Sequence, residues 1–335
     1  MLRRVFTRAL TTLNSPTADL YFADSCADWL RRGLVTRYAP TVFASATVRL
    51  VIRHDGRAGR ASLRPRHVYL IDDAIDLDGA DAALSRYWRF KLDNVERAAA
   101  ARFLPGAAAA VVSSPALEGM IRARASGLDV RVLNPYWKTE FSSLSHHRAD
   151  GPFRVAFLGS QVHGPDFAPL ATMLRGFLDD WPEAELIVGG GHGGQVGHAR
   201  ARDLGAMGWR DWRAALPALQ PHVALYPLAE TPFNAARSLN KLIEHAVAGA
   251  AGLYARAWPG AALAVEAGAG LALGPDPAEW RAALDRLAAN PLETREMAKA
   301  GAALAARLND AEAQRRLWAE LLEIDDGAQG VFGSD

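Results

Sequence analysis

The chain has 335 residues, 50% hydrophobic and 22% charged, an ordinary composition for a folded protein and long enough for two α/β domains. Its 38 basic and 37 acidic side chains leave a net charge of only +1, which gives no basis for a nucleic-acid partner. Cys26 is the one cysteine, which excludes an intrachain disulfide framework and a cysteine-based zinc site and fits a reducing cytoplasm.

Charge is unevenly spread. Residues 1–66 hold twelve arginines and no lysine against four aspartates and no glutamate, a local excess of +8 that leaves −7 for the rest. Such a region either meets anionic lipid headgroups or a phosphorylated substrate, or is an arginine-rich surface paired internally. The start, MLRRVFTRALTTLNSP, lacks a continuous apolar core, and nowhere do eighteen apolar residues run uninterrupted. The expectation is a chain that touches a membrane peripherally at most.

In chain order, short apolar runs predict strands at Ala18–Phe22, Val48–Ile52, Val68–Ile71, Ala109–Ser113 and Asp129–Leu133. Helical spacing covers Asp81–Leu104, and Ser114-Pro115 opens a second helix over Ala116–Ala125. This alternation implies a mostly parallel sheet. The strand at Val68 runs into Asp72, Asp73 and Asp76, where carboxylates either face a ligand or cap the next segment. The polar run Ser142–Gly151 reads as a linker, with His146 and His147 as exposed bystanders. A second α/β unit follows, with strands at Phe153–Gly159, Glu185–Val188, Val223–Leu225 and Leu253–Ala255. Helices are expected over Phe167–Leu178, Trp280–Asn290, Glu293–Leu308 and Asp310–Ile324.

Three stretches carry candidate chemistry. Gly189, Gly191 and Gly194 form a GxGxxG, but after the second strand of their unit, so a turn or another phosphate-lining loop competes with a dinucleotide site. Gly159-Ser160-Gln161-Val162-His163-Gly164-Pro165-Asp166 joins strand to helix at a ligand edge. Its small residues admit backbone approach, His163 offers a hydrogen bond to a phosphate or sugar oxygen, and Asp166 reads as an N-cap. Across Pro227–Gly252, a helix would place Asn234, Arg237, Ser238, Lys241, Glu244 and His245 on one polar side. Ser238 reads as its N-cap and Gly249 as its C-terminal glycine. Lys241 in the first turn is poorly placed against the helix dipole unless an anion binds there, and Glu244 suits hydroxyl groups.

The pattern PLxExPFNxxRSxxKxxEHAxAG, preceded by a strand and GSxxHxxDF, resembles the retaining nucleotide-sugar glycosyltransferases of GT-B fold, family 4, over about Phe153–Ile324. The resemblance implies two Rossmann-like α/β domains with parallel sheets facing a central cleft. Here these are 1–150 on the acceptor side and 151–335 on the donor side, the last helix crossing back to the first domain. It implies catalytic roles for Lys241, Arg237 and His163. Donor contacts would come from Gly159, Ser160, Asn234, Ser238 and Glu244 (the ribose carboxylate), and from Trp209 and Arg210 near the nucleobase. Asp72 and Asp73 fall on the acceptor side. The co-substrate would be a nucleoside-diphosphate sugar and the acceptor a glycan, lipid-linked or small-molecule hydroxyl, in bacterial glycan or glycolipid assembly, in the cytoplasm or at the inner face of the membrane. No metal or cofactor is implied. The chain departs from the family at Ala236, where a carboxylate is usual and for which Glu230, six residues earlier, either substitutes or does not, and in a first loop without Arg or Lys. Both departures favour an alternative, a non-catalytic sugar-nucleotide or glycan-binding module of the same fold. A dinucleotide-dependent oxidoreductase rests on Gly189–Gly194 alone.

Overall fold

The computed structural model describes residues 15–54, 66–74, 86–148 and 151–325. They divide into two units. One holds the described parts of 1–76, 91–138 and 310–335, the other those of 77–90 and 139–309.

The first unit is built on a six-stranded sheet in the order of the chain, β1 (Thr36–Ala39), β2 (Val42–Ala44), β3 (Val48–Ile52), β4 (Arg66–Ile71), β5 (Ala109–Val112) and β6 (Val130–Val132). β3 to β6 run parallel, while β1 and β2 form an antiparallel hairpin edge that was not among the expected strands. Ala18–Phe22 is no strand: it lies in a short helix, Pro16–Ala18, that continues as a π-helical turn, Asp19–Ala23. Ser15 caps it by accepting the Ala18 N–H, and Leu20, Tyr21 and Phe22 are all buried. Five residues, with only Asp19 part-exposed among buried neighbours, are too few for periodicity to separate helix from strand. The expected helix at Asp81–Leu104 is seen from Arg86 to Phe103, with a π-helical turn at Leu92–Glu96; positions 81–85 and Asp76 lie outside the described residues.

The last helix, Ala311–Leu322, belongs to this unit. Gln314 is 1% exposed and bridges three segments, accepting from Ser25 Oγ (2.7 Å) and donating to the carbonyls of Leu20 (3.0 Å) and Asn134 (2.6 Å). Trp318 donates Nε1–H to Tyr21 O and meets Phe22 edge-on at 5.5 Å. The described arginines of the basic first third are engaged within the unit. Arg31 and Arg32 pair with Asp28, Arg37 donates to the Pro40 carbonyl, and Arg49 is buried over Phe103. Arg53 and Arg66 pair with carboxylates.

The second unit carries a wholly parallel sheet in the order β12-β11-β10-β7-β8-β9. Its strands are β7 (Phe153–Phe157), β8 (Ala184–Val188), β9 (Ala201–Asp203), β10 (Val223–Tyr226), β11 (Ala251–Ala255) and β12 (Gly270–Leu273). Val155, Phe157, Leu186, Val188, Val223, Leu225 and Leu253 make its core with Phe167, Leu174, Phe177 and Trp280. The chain moves from β7 outward to β9, then returns to the other side of β7 as β10. The strand order therefore reverses between β7 and β10, and the carboxyl ends of strands flanking such a switch point form a natural ligand crevice.

His146 and His147 are not exposed: they are 4% and 8% accessible, within a 3-10 turn at Ser145–His147. Their Nε2 atoms meet the carbonyls of Pro221 (3.0 Å) and Gly249 (2.8 Å), and their rings lie 4.3 Å apart and 5.2 and 5.0 Å from the His222 ring, centroid to centroid. The polar run is a strap at the amino ends of β10 and β11, since Pro221 and Gly249 lie just before those strands. Gly249 has φ +82°, and a Cβ there would come within 2.6 Å of Ser142 Oγ and 2.9 Å of His146 Cε1. Gly249→Ala is expected to cost about 2–4 kcal/mol, from left-handed strain plus displacement of the strap. Chemical denaturation with unchanged m-value checks it; a loss below about 1 kcal/mol would show that the strap is not held there.

Candidate functional site

Pro227–Gly252 is not one helix. A short helix, Pro232–Ala235, is capped by Thr231 Oγ1, and a second, Asn240–Ala248, ends at the left-handed Gly249. Ser238 is not the N-cap residue: Leu239 occupies that position, and Ser238 Oγ lies 3.4 Å from the Asn240 N–H it accepts. Nor is the polar side solvated, since Glu244 and His245 are 3% and 1% exposed. His245 stacks on Tyr254 at 5.2 Å, and burial, with Lys241 nearby, drives its pKa well below the usual range.

Lys241 donates to the carbonyl of Leu158, just past β7, and to Glu244 Oε2. The other carboxylate oxygen, Oε1, accepts from Trp212 Nε1 at 2.7 Å. The pair is largely buried, the two side chains being 13% and 4% exposed. Glu244 is thus fixed between the helices Asn240–Ala248 and Trp209–Leu219, and Lys241 ties that assembly to the switch point. Trp209, expected near a nucleobase, lies under the Arg213 guanidinium at 5.3 Å, and Arg210 is exposed. Trp212 is the residue that reaches the site, three positions along the same helix. Sequence reasoning passed over it because its partner is 32 residues away.

The first loop is shaped by contacts with the glycine-rich loop. A Cβ on Gly159 would strike the Phe157 ring at 2.3 Å, and one on Gly190, at φ +78°, would fall 2.7 Å from the Ser160 carbonyl carbon. His192 Nε2 lies 3.1 Å from the Ser160 oxygen. Of the motif glycines, Gly189 is closely packed, a Cβ there falling 2.8 Å from Gly159 O, whereas Gly191 holds a left-handed φ of +84° and a Cβ on Gly191 or Gly194 would meet nothing within 4 Å. Asp166 is not a cap but lies inside the short helix Gly164–Phe167. Its Oδ2 lies 2.9 Å from His163 Nδ1, and its Oδ1 accepts the Ala229 N–H at 3.1 Å, joining the loops after β7 and β10. Burial raises the Asp166 pKa, but the hydrogen bonds from His163 and Ala229 outweigh it and hold the carboxyl below its usual range. Burial lowers His163 to about 4.

Asn234 is internal to this frame. Its Nδ2 donates to Ala229 O at 3.0 Å and its Oδ1 lies 3.3 Å from Arg237 Nε, whose guanidinium covers the Phe233 ring at 4.8 Å. Ala236 is fully buried, with no carboxylate in its place. Glu230 instead lines a recess of about 470 Å³, open to solvent, at the ends of β10, β11 and β12, with Asp166, Ala229, Arg256 and Trp280.

Asp72 and Asp73 lie in the first unit, past the end of β4. Both accept from Arg53 Nη1 (3.0 and 2.9 Å), whose Nε reaches the fully buried Glu96 at 3.2 Å. Thr17 donates to Asp72 Oδ2 at 2.7 Å. Burial raises the Asp72 pKa, partly offset by Arg53 and reinforced by Asp73. Arg53 holds a left-handed backbone, φ +62°, a conformation tolerated when the surroundings enforce it. Among the described residues no group of side chains is arranged to hold a metal ion, and no helix is long and apolar enough to cross a membrane.

No family model and no curated protein matches the chain. Solved structures do. A sucrose-phosphate synthase from Thermosynechococcus elongatus superposes with a TM-score of 0.53 at 18% identity, over 79% of this chain and 69% of its own. HepE from Anabaena, in complex with UDP, gives 0.54 at 17%, over 79% and 74%. WaaG, a glycosyltransferase involved in lipopolysaccharide biosynthesis, gives 0.52 at 12%, over 76% and 77%. At these identities the likeness is one of fold. The chain has the two-domain, Rossmann-like GT-B fold that these structures share.

Proposed function

We propose that the protein is a glycosyltransferase whose second unit holds a nucleoside-diphosphate sugar at the β7/β10 switch point. The observation that carries this reading is the Lys241–Glu244–Trp212 cluster anchored to Leu158 O. It sets a cation and a carboxylate side by side at the ligand edge of a parallel sheet, at the start of a nine-residue helix. The fold is shared with proteins crystallised with UDP, and with UDP and glucose, which supports the ligand class.

In this reading Glu244 receives ribose hydroxyls, and Lys241, Arg237 and the helix N–H groups receive the diphosphate. The bond from sugar C1 to the diphosphate breaks through an oxocarbenium-like transition state and a new C1–O bond forms to the acceptor. The acceptor proton passes to the leaving diphosphate oxygen, so the chain supplies charge stabilisation rather than a strong base. Retention of anomeric configuration, independence of metal ions and a role in bacterial glycan or glycolipid assembly belong to the proposal, as do Asp72 and Asp73 as acceptor-side groups. So does a peripheral contact of the arginine-rich first third with the inner face of a membrane.

Ala236 and the loop lacking Arg and Lys favour a second reading, a non-catalytic sugar-nucleotide or glycan-binding module. Titration with UDP-, GDP- and dTDP-sugars in the presence of EDTA separates the two. The expected result is nucleoside-diphosphate release unaffected by EDTA, with the product anomer matching the donor. Binding without release selects the module, and absence of binding removes both.

A further inference from the structure

Three groups lie in order along the edge of the second sheet. Trp212 and Glu244 stand at the β8 side, the Trp212 ring lying 3.5 Å from where a Cβ of Gly189 would be. Lys241 stands at the end of β7 on Leu158 O. His163 and Asp166 stand toward β10, through the Ala229 N–H and the Tyr226 ring at 6.4 Å. The strand order β8-β7-β10 therefore repeats the order nucleoside, diphosphate, sugar of the donor assigned above.

The Asp166 carboxylate can only accept, so the proton on His163 sits on Nδ1 and the lone pair on Nε2. Nε2 makes no hydrogen bond with a described residue and is not among the polar atoms sealed from solvent. With burial holding the ring neutral near pH 7, and with Arg237 and Lys241 adding to that effect, Nε2 repels an anion and suits a hydroxyl donor. A histidine read from sequence as a hydrogen-bond donor to a phosphate or sugar oxygen is, in the fold, an acceptor at its free nitrogen. We propose that His163 Nε2 accepts a hydrogen bond from a hydroxyl of the transferred sugar, and that Asp166 is the positioning residue that fixes the required tautomer. The inference rests on the donor reading above.

The test measures binding of UDP, GDP and dTDP and of the glucose ester of each, together with the nitrogen-15 NMR signals of His163. In the wild type Nε2 should be the unprotonated nitrogen. Asp166→Asn, whose amide can donate to Nδ1, should move the proton to Nε2. It should weaken the glucose ester that binds best by about 5- to 10-fold while leaving the matching diphosphate within about twofold. His163→Phe should lose the same increment and His163→Gln, which keeps an acceptor oxygen, should recover part of it. Equal losses for diphosphate and glucose ester, or protonation of Nε2 when the ester binds, would overturn the hydroxyl assignment alone. A wild type that binds none of the six overturns the donor reading and this one with it.

Discussion

Lys241→Met is expected to lower sugar transfer by about 100- to 1,000-fold and to cost about 3–5 kcal/mol of stability. Both effects follow from one position. The ammonium neutralises a carboxylate that is 4% exposed, and in the proposed donor arrangement it is the cation that faces the leaving diphosphate. Removing it leaves the Glu244 carboxylate, among the described residues, with only the Trp212 N–H to accept from, a buried charge without a countercharge. A double variant separates the roles. Lys241→Met with Glu244→Gln should regain most of the lost stability, since the buried charge is gone, while transfer stays low. If transfer recovered along with stability, Lys241 would be a structural cation and the leaving-group role would fall. The effect on kcat should also exceed that on affinity for the free nucleoside diphosphate, since the interaction strengthens in the transition state.

Below about pH 6.5 the second unit should lose stability steeply. Five of its histidines, His146, His147, His163, His222 and His245, have pKa values depressed by burial. His146 falls to about 4, His163 to about 4 and His222 to about 3, and His147 and His245 are shifted the same way. Within the cluster of three, His147 also opposes a proton on His146, both oppose one on His222, and Arg154 adds to this at all three. The rings stay neutral in the folded state while the unfolded chain takes up protons as the pH drops through about 6.5. The unfolded state therefore binds more protons between pH 6.5 and about 4, and folding stability is lost across that window as pH falls. Each ring contributes about 1.4 kcal/mol per pH unit at most, so five approach roughly 7 kcal/mol per unit, comparable with the whole stability of a typical domain. Thermal melts at stepped pH should show a falling Tm from pH 7 to pH 5, and His146→Phe with His222→Phe should flatten the slope. A Tm constant over that range would mean that the rings are solvated in solution.

The alternation of apolar runs and helical spacing was enough to read the α/β class and most of the parallel strands, because strand burial is written locally. Val155, Phe157, Leu186 and Val188 show their environment in their own neighbours. The β1/β2 hairpin left no such mark: Tyr38 is 46% exposed and the strands are three and four residues long. At the site, Lys241, Glu244 and His163 were legible as chemistry-bearing residues in a glycine- and helix-start context. Their partners were not. Trp212 meets Glu244 across 32 residues, Lys241 meets Leu158 across 83, and Asp166 meets Ala229 across 63. Such pairings are set by strand order, and the reversal between β7 and β10 appears only once the sheet is assembled. The same cause hid the burial of His146 and His147, whose ring partners lie on segments 75 and 102 residues further on.

The return of Ala311–Leu322 to the first unit bears on how the protein is made. The second unit's sheet, Phe153 to Leu273, is continuous along the chain and complete when its last strand leaves the ribosome. The first unit, although begun earlier, still lacks Gln314 and Trp318, which satisfy the carbonyls of Leu20, Tyr21 and Asn134 and cover Phe22. The first unit, begun first, therefore has all its parts only after the second unit's sheet has been made, because Ala311–Leu322 comes last among the described helices.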